Sequence, residues 1–259
     1  MAKRKKPRRK KRNRRLSFIL LTVVALIIFW LGYQIWVNSR SDFVRYAEFG
    51  INIPRNYSIH GIDVSKYQES IAWEEVKSMQ VADIKLGFAF IKATEGIGNI
   101  DKQFRRNWKK AKEAGIIRGA YHFFVPTKDG RMQAENFIRQ VELDSGDLPP
   151  VLDIERTFGV SKKRLHAELL EWLSIVENHY GVKPIIYTNV DFYKTKLGEA
   201  FDSYPLWAAH YYHPRQPRID RTWAFWQHSE EGRVNGIRAK VDFNVFNGDS
   251  LSFKSLLVQ

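Results

Sequence analysis

The chain has 259 residues, of which 44% are hydrophobic and 14% aromatic, too apolar for a disordered protein and long enough for one large domain or two small ones. Its formal charge of +14 points to nucleic acid until the charge is located: eleven Lys and Arg and no acid lie in the first fifteen residues, so the other 244 carry only +3. That argues against a nucleic-acid-binding body, and the absence of cysteine rules out a disulfide scaffold.

In chain order, residues 1–15 form a basic tail, and Leu16 to Val37, LSFILLTVVALIIFWLGYQIWV, are 22 residues without Asp, Glu, Lys, Arg or His. As a helix they span roughly 33 Å, enough for the hydrocarbon core of a bilayer. A cleavable signal has a shorter apolar stretch and a small-residue cleavage site, so a retained transmembrane helix is the better reading. Basic residues flanking such a helix stay cytoplasmic, while Trp30, Tyr33 and Trp36 suit the opposite interface. The expectation is a single-pass protein of the bacterial cytoplasmic membrane with everything after Val37 outside the cytoplasm. A nucleic-acid-binding or nuclear-targeting tail, or a signal that is removed, is the alternative. Residues 38–58, with Pro54 and mixed charges, read as a polar tether, and residues 59–259 as one domain.

Eight short apolar runs follow as strand candidates: IHGIDV, LGFAFIKA, IRGAYHFF, PPVLDIE, KPIIYTN, YPLWAAHY, TWAFWQHS and AKVDFNVF. Between the early ones lie helical patterns, IAWEEVKSM, QFRRNWKKAKEAG, RMQAENFIRQVEL and SKKRLHAELLEWLSIVENHY; Gly115 stops the second, Ser161 caps the last and Gly181 closes it. The alternation predicts an α/β fold of parallel units, an irregular barrel of about eight strands with fewer than eight helices because the late connections are short. A doubly wound open sheet is the competing architecture.

In a parallel barrel the carboxyl ends of the strands build the site. Asp63, Asp153, Glu155 and Asp242 sit at or near such ends, and Asp153 and Glu155, two apart, share one strand face. Two like charges in an apolar wall repel, which pushes one toward its protonated form, and a proton donor beside an anion is the equipment for cleaving a glycosidic bond. An ion pair with Arg156 or a Lys, or a metal site, is the blander reading of so short a pattern. His210 and His213 lack the accompanying acid or Cys of a metal site, His122 reads as a satisfied buried histidine, and no cofactor is implied.

The ordered set GIDVSKYQ, FAFIKATEG, AGIIRGAYHFF, LPPVLDIE, PIIYTN, PLWAAHY, FWQHS and VDFNVFNG resembles the glycoside hydrolase family 25 lysozymes over nearly all of residues 59–248. The resemblance implies an irregular β/α barrel that hydrolyses the β-1,4 bond between N-acetylmuramic acid and N-acetylglucosamine in peptidoglycan. It implies Glu155 as general acid, Asp153 as its partner on the same strand, and Asp63 and Asp242 as further acids of the site. Tyr121, Tyr187, Trp207, Tyr211 and Trp226 lie near strand ends, where their rings can stack on sugars, and Gln227 is grouped with them as substrate-binding. Any one of these aromatics alone is more often core. The two-residue spacing suits an acid beside an anion that orients the sugar's 2-acetamido group, hence retention of configuration, with Asp242 as a base for direct water attack the alternative. A catalytically silent glycan-binding module in the same barrel is the competing function class.

Overall fold

The computed structural model describes residues 9–39, 42–211, 213 and 215–259, and the chain divides into two compact units, Met1–Asp42 and Phe43–Gln259. In the first, helix α1 (Arg9–Ser39) contains Ser17–Trp36, 20 residues of mean hydropathy 2.3, none of it buried by the protein. Among the described residues it is the one helix long and apolar enough to cross a membrane. The Thr22 hydroxyl donates to the Phe18 carbonyl 2.8 Å away, so the stretch presents no unsatisfied side-chain donor there. The first eight residues of the basic run lie outside the described residues.

The second unit begins with an antiparallel hairpin, β1 (Phe43–Tyr46) and β2 (Ile51–Pro54), where residues 38–58 are expected to be a tether. Phe49, Ile51 and Ile53 are buried, and Gly50 takes φ +69°, a left-handed turn that glycine adopts without strain. Phe43 meets Trp226 edge-on and Phe49 meets Phe243, so the hairpin packs on the outside of the barrel. Each strand is only four residues long, which is why so little periodicity is visible; its stability comes from tertiary packing.

The barrel follows: β3 (His60–Val64), α2 (Trp73–Ser78), a short β4 (Gln80–Val81), β5 (Ile84–Glu95), β6 (Asn99–Ile100), α3 (Phe104–Glu113), β7 (Ile117–Phe123), α4 (Gly130–Ile138), β8 (Val151–Asp153) and α5 (Lys162–Tyr180). Then come β9 (Ile185–Asn189), α6 (Val190–Phe192), β10 (Leu206–Ala209), β11 (Phe225–Gly232), β12 (Val241–Phe246) and α7 (Ser250–Leu256). All eight predicted strands form. Their order is β3-β12-β11-β10-β9-β8-β7-β5, and β3 pairs with β5, which closes the sheet and excludes the open alternative. Every neighbour pair is parallel except those made by β12, which runs antiparallel to β11 and β3 because the loop before it is too short for a crossover helix. Ser161 caps α5 through its hydroxyl, which accepts from the Arg164 N–H, and Gly181 (φ 70°) ends it, as the sequence predicts.

Strand alternation divides the core in two. Ile62, Ala89, Ile91, Leu152, Ile186 and Phe243 face outward onto the helices and the hairpin, while Phe88, Phe90, Val151, Ile185, Trp207 and Phe225 fill the barrel. A Cβ on Gly61 would lie 2.5 Å from the Phe88 ring, and one on Gly119 would lie 2.6 Å from Phe90, so only hydrogen fits beside those rings. Phe253 of α7 inserts among Phe88, Phe225 and Phe246 and plugs the amino-terminal end of the parallel strands. The opposite end stays open.

Candidate active site

The open end is a cavity of about 230 Å³ whose lining includes Asp63, Ser65, Tyr67, Gln68, Lys92, Tyr121, Phe123, Asp153, Glu155, Tyr187, Trp207, Gln227 and Asp242. All four acids therefore share one mouth. Asp63 is at the carboxyl end of β3, and Asp242 reaches the same rim from the start of β12 because that strand is reversed; the two are register partners. On β8, Val151 and Asp153 point inward, Leu152 outward, and the extended chain continues, with Ile154 N–H donating to the Tyr187 carbonyl, so that Glu155 returns to the inner side.

Asp63 is 7% exposed, and its Oδ2 accepts from Gln227 Nε2 at 2.8 Å and Asn244 Nδ2 at 2.7 Å. Burial pushes its carboxyl up, and the hydrogen bonds from Asn244, Gln227 and Asp242 pull against that by favouring the anion. Asp242 is pushed up to about 9, first by burial and then by the charge of Asp63, to which it donates. This pair therefore holds one shared proton at neutral pH, on Asp242.

The second pair behaves alike. Burial, then the Glu155 charge, drives the Asp153 carboxyl well above the usual range, and Lys92 opposes the shift. Glu155 is also raised by burial, against its hydrogen bond from Asp153 and the charges of Arg156 and Lys92. Burial and like charge thus favour a proton on this pair, most strongly on the deeper residue, Asp153. Asp153 Oδ1 is buried and has no hydrogen-bond partner. Lys92 Nζ pairs with Glu95 at 2.7 Å and stands 4.7 Å from the Phe123 ring centre.

The predicted substrate-binding residues divide. Tyr121, Tyr187, Trp207 and Gln227 line the cavity. Trp207 is its floor, stacked on Phe90 with centroids 4.3 Å apart and donating from Nε1 to Asn244 Oδ1 at 2.8 Å. Gln227 accepts from the hydroxyls of Tyr187 (2.7 Å) and Tyr211 (2.5 Å), which joins Tyr211 to the site through a shared amide. Trp226 does not belong there. It lies between the inward-facing Phe225 and Gln227, so it faces outward, fully buried against Phe43, Tyr57 and Trp223, with its indole N–H donating to the His210 carbonyl. His122 is buried outside the barrel, bonded to Thr94 and Gln133, as predicted.

Sequence reasoning misses Lys92, Asn244 and Tyr67. Lys92 and Asn244 lie two residues from Phe90 and Asp242 on the inward face of their strands, a period-two signal that was there to follow.

Comparison with known proteins agrees with this geometry. The model of the glycosyl hydrolases family 25 matches residues 62–237. Lysozyme M1 of Streptomyces globisporus is 37% identical over 218 residues, covering 76% of this chain and 71% of that protein. The uncharacterized protein YegX of Escherichia coli (strain K12) is 44% identical over 237 residues, 88% of this chain and 87% of that one. Among solved structures, a family 25 glycosyl hydrolase from Bacillus anthracis superposes with a TM-score of 0.73 at 32% identity, covering 82% of this chain and 99% of that one. A bacterial lysozyme from Streptomyces coelicolor does so at 0.70 and 36% identity, covering 78% and 97%. A closed barrel with four acids at its mouth, matched in sequence and shape across most of its length, places the chain in glycosyl hydrolase family 25.

Proposed function

We propose that the domain hydrolyses the β-1,4 bond between N-acetylmuramic acid and N-acetylglucosamine in peptidoglycan, with Glu155 as general acid. The observation that carries this reading is the placement of Asp153 and Glu155 together on the cleft wall, with Asp63 and Asp242 at the same mouth. Burial favours a proton on Asp153, which lines the cavity beside Glu155, and its carboxylate is an acceptor for the N–H of a 2-acetamido group. That hydrogen bond favours ionised Asp153, so the proton passes to Glu155, beside the leaving oxygen. The oriented acetamido oxygen then attacks the anomeric carbon, the C–O bond breaks as Glu155 gives up its proton, and water opens the resulting oxazolinium ion with Glu155 as base, retaining configuration. Asp63 is the anion facing this chemistry, held by Gln227, Asn244 and Asp242. A silent binding module gives no reason to bury four carboxyls at one mouth.

Digestion of purified cell walls by the detergent-solubilised chain, followed by borohydride reduction, tests the linkage. Reduced N-acetylmuramic acid at the new ends is expected, and reduced N-acetylglucosamine would overturn the assignment. The β-anomer should form first in NMR-monitored cleavage.

The apolar span of α1, preceded by the basic run, supports a further reading: Ser17–Trp36 is a retained membrane anchor with its amino terminus cytoplasmic and the hydrolase outside. Protease added to spheroplasts should release the domain; protection of the carboxyl terminus would refute this topology.

A further inference from the structure

Among the described residues five aromatics line the cleft, and four of them are embedded in its wall: Trp207 is 2% and Tyr187 7% exposed, and Tyr121 and Phe123 are half-buried. Tyr67 is the exception at 73% exposed. A single exposed ring is ordinary on a protein surface. The backbone that carries this one is not.

Tyr67 sits in a one-turn 3₁₀ helix, Lys66–Gln68, immediately after the strand that bears Asp63. Ser65 and Gln68 close a capping box across it: Tyr67 N–H donates to Ser65 Oγ, and Ser65 N–H to Gln68 Oε1. Two contacts from elsewhere in the barrel fix the turn in place. Lys66 N–H donates to the Asp101 carboxylate at 2.8 Å, and Gln68 Nε2 donates to the Lys240 carbonyl at 2.9 Å. Asp101 is itself 8% exposed and tied to β5 through its own N–H, which donates to Ala93 O. Glu69 then exits with φ 52°, a left-handed conformation that a non-glycine residue adopts only where the surroundings impose it.

A turn held by these two contacts and its own capping box, on the cleft rim, presents one flat ring with the Lys66 ammonium 5.5 Å from its centre. Such pre-organisation removes the backbone part of the ordering cost that binding at a surface turn otherwise carries.

We propose that Tyr67 is a sugar-stacking platform at the rim of the cleft, positioning a pyranose ring of the glycan beside Asp63 and so contributing to substrate affinity rather than to bond cleavage. The proposal rests on the glycan-hydrolysing reading above. Its chemistry asks for the apolar face of a sugar ring, not for the phenol hydroxyl.

The test uses the full chain in detergent with glycan strands purified from cell walls, comparing wild type with Tyr67→Ala and Tyr67→Phe. Tyr67→Ala is expected to raise KM about three- to tenfold with kcat within about twofold, and Tyr67→Phe to stay near wild type in both. Melting temperatures should match, since the ring contributes almost nothing to the core. An unchanged KM in Tyr67→Ala, a loss concentrated in kcat, or failure of Phe to restore affinity would overturn the proposal. Co-sedimentation with the same glycan separates the two readings. If wild type cleaves nothing, hydrolysis is wrong, yet weaker pelleting of Tyr67→Ala than of Tyr67→Phe still supports the platform, and equal pelleting refutes it.

Discussion

Gln227 is the hinge of the polar network beneath the site, and replacing it with Leu gives three distinguishable effects. Its Nε2 donates to the Asp63 carboxylate, a charge-assisted bond at 2.8 Å, and its Oε1 accepts from two tyrosine hydroxyls. Loss of a hydrogen bond to a charged group costs about 1.5–3 kcal/mol. The Tyr187 hydroxyl, on a residue 7% exposed, is left without an acceptor, adding about 1–3 kcal/mol, whereas the half-buried Tyr211 can turn to water. Gln227→Leu should therefore destabilise the domain by about 2.5–6 kcal/mol in urea unfolding followed by tryptophan fluorescence.

The double variant Gln227→Leu/Tyr187→Phe removes the orphaned hydroxyl and should recover about 1–3 kcal/mol of that loss. The activity profile gives the third effect. Without a donor to its anion, Asp63 protonates more readily, so the acidic limb of activity should move to higher pH. A double variant that is no more stable than Gln227→Leu, or an acidic limb that stays put in a folded protein, would refute this account of the network.

Glu155→Gln should lower turnover at least about 10²-fold while leaving the unfolding midpoint and glycan co-sedimentation nearly unchanged, since Gln keeps the shape but has no proton to give. Asp242, raised from 3.8 to about 9, keeps a proton in the folded chain that the unfolded chain has lost, so its contribution to stability is greatest below the unfolded value and falls as pH rises through that window. Asp242→Asn, which still donates to Asp63, should flatten the decline in melting temperature between pH 4 and about 9 and retain more activity than Asp63→Asn; an unchanged slope would contradict the assignment. Phe49→Ala, which empties a fully buried site between the hairpin and Phe243, should cost about 3–5 kcal/mol in chemical unfolding with KM unchanged, showing the hairpin to be part of the domain.

The barrel was legible because its strands are buried on both faces and bounded by breakers, so each of the eight reads as a short apolar run. The direction of β12 was not, although the eight residues from Arg233 to Lys240 that connect β11 to it are too few for a helix and a return, and a reversed strand was the physical consequence. The hairpin at 43–54 escaped for a different reason. Only Ile51 and Ile53 display the alternation, over four residues, and what stabilises the pair is Trp226 and Phe243, residues almost two hundred positions away. Local sequence holds no trace of a partner that distant.

At the site, the rule that found Asp153 and Glu155 was applied to acids and not to their neighbours. Period two places side chains on one face whatever their chemistry, and the inward set on β11 is Phe225 and Gln227, which leaves Trp226 outside. Choosing aromatics by their nearness to strand ends ignored that parity, and Trp226 was the result. Asn244, two residues from Asp242, and Lys92, two from Phe90, pass the parity test but carry no signal of their own, because an amide or an ammonium acquires its meaning from the carboxylate opposite. Asp63 sits across the barrel seam from Asn244, and Lys92 biases a pair two strands away on β8. These relations exist only once the sheet has closed, so the acids can be read from the chain, while the groups that decide which of them holds a proton are read from the fold.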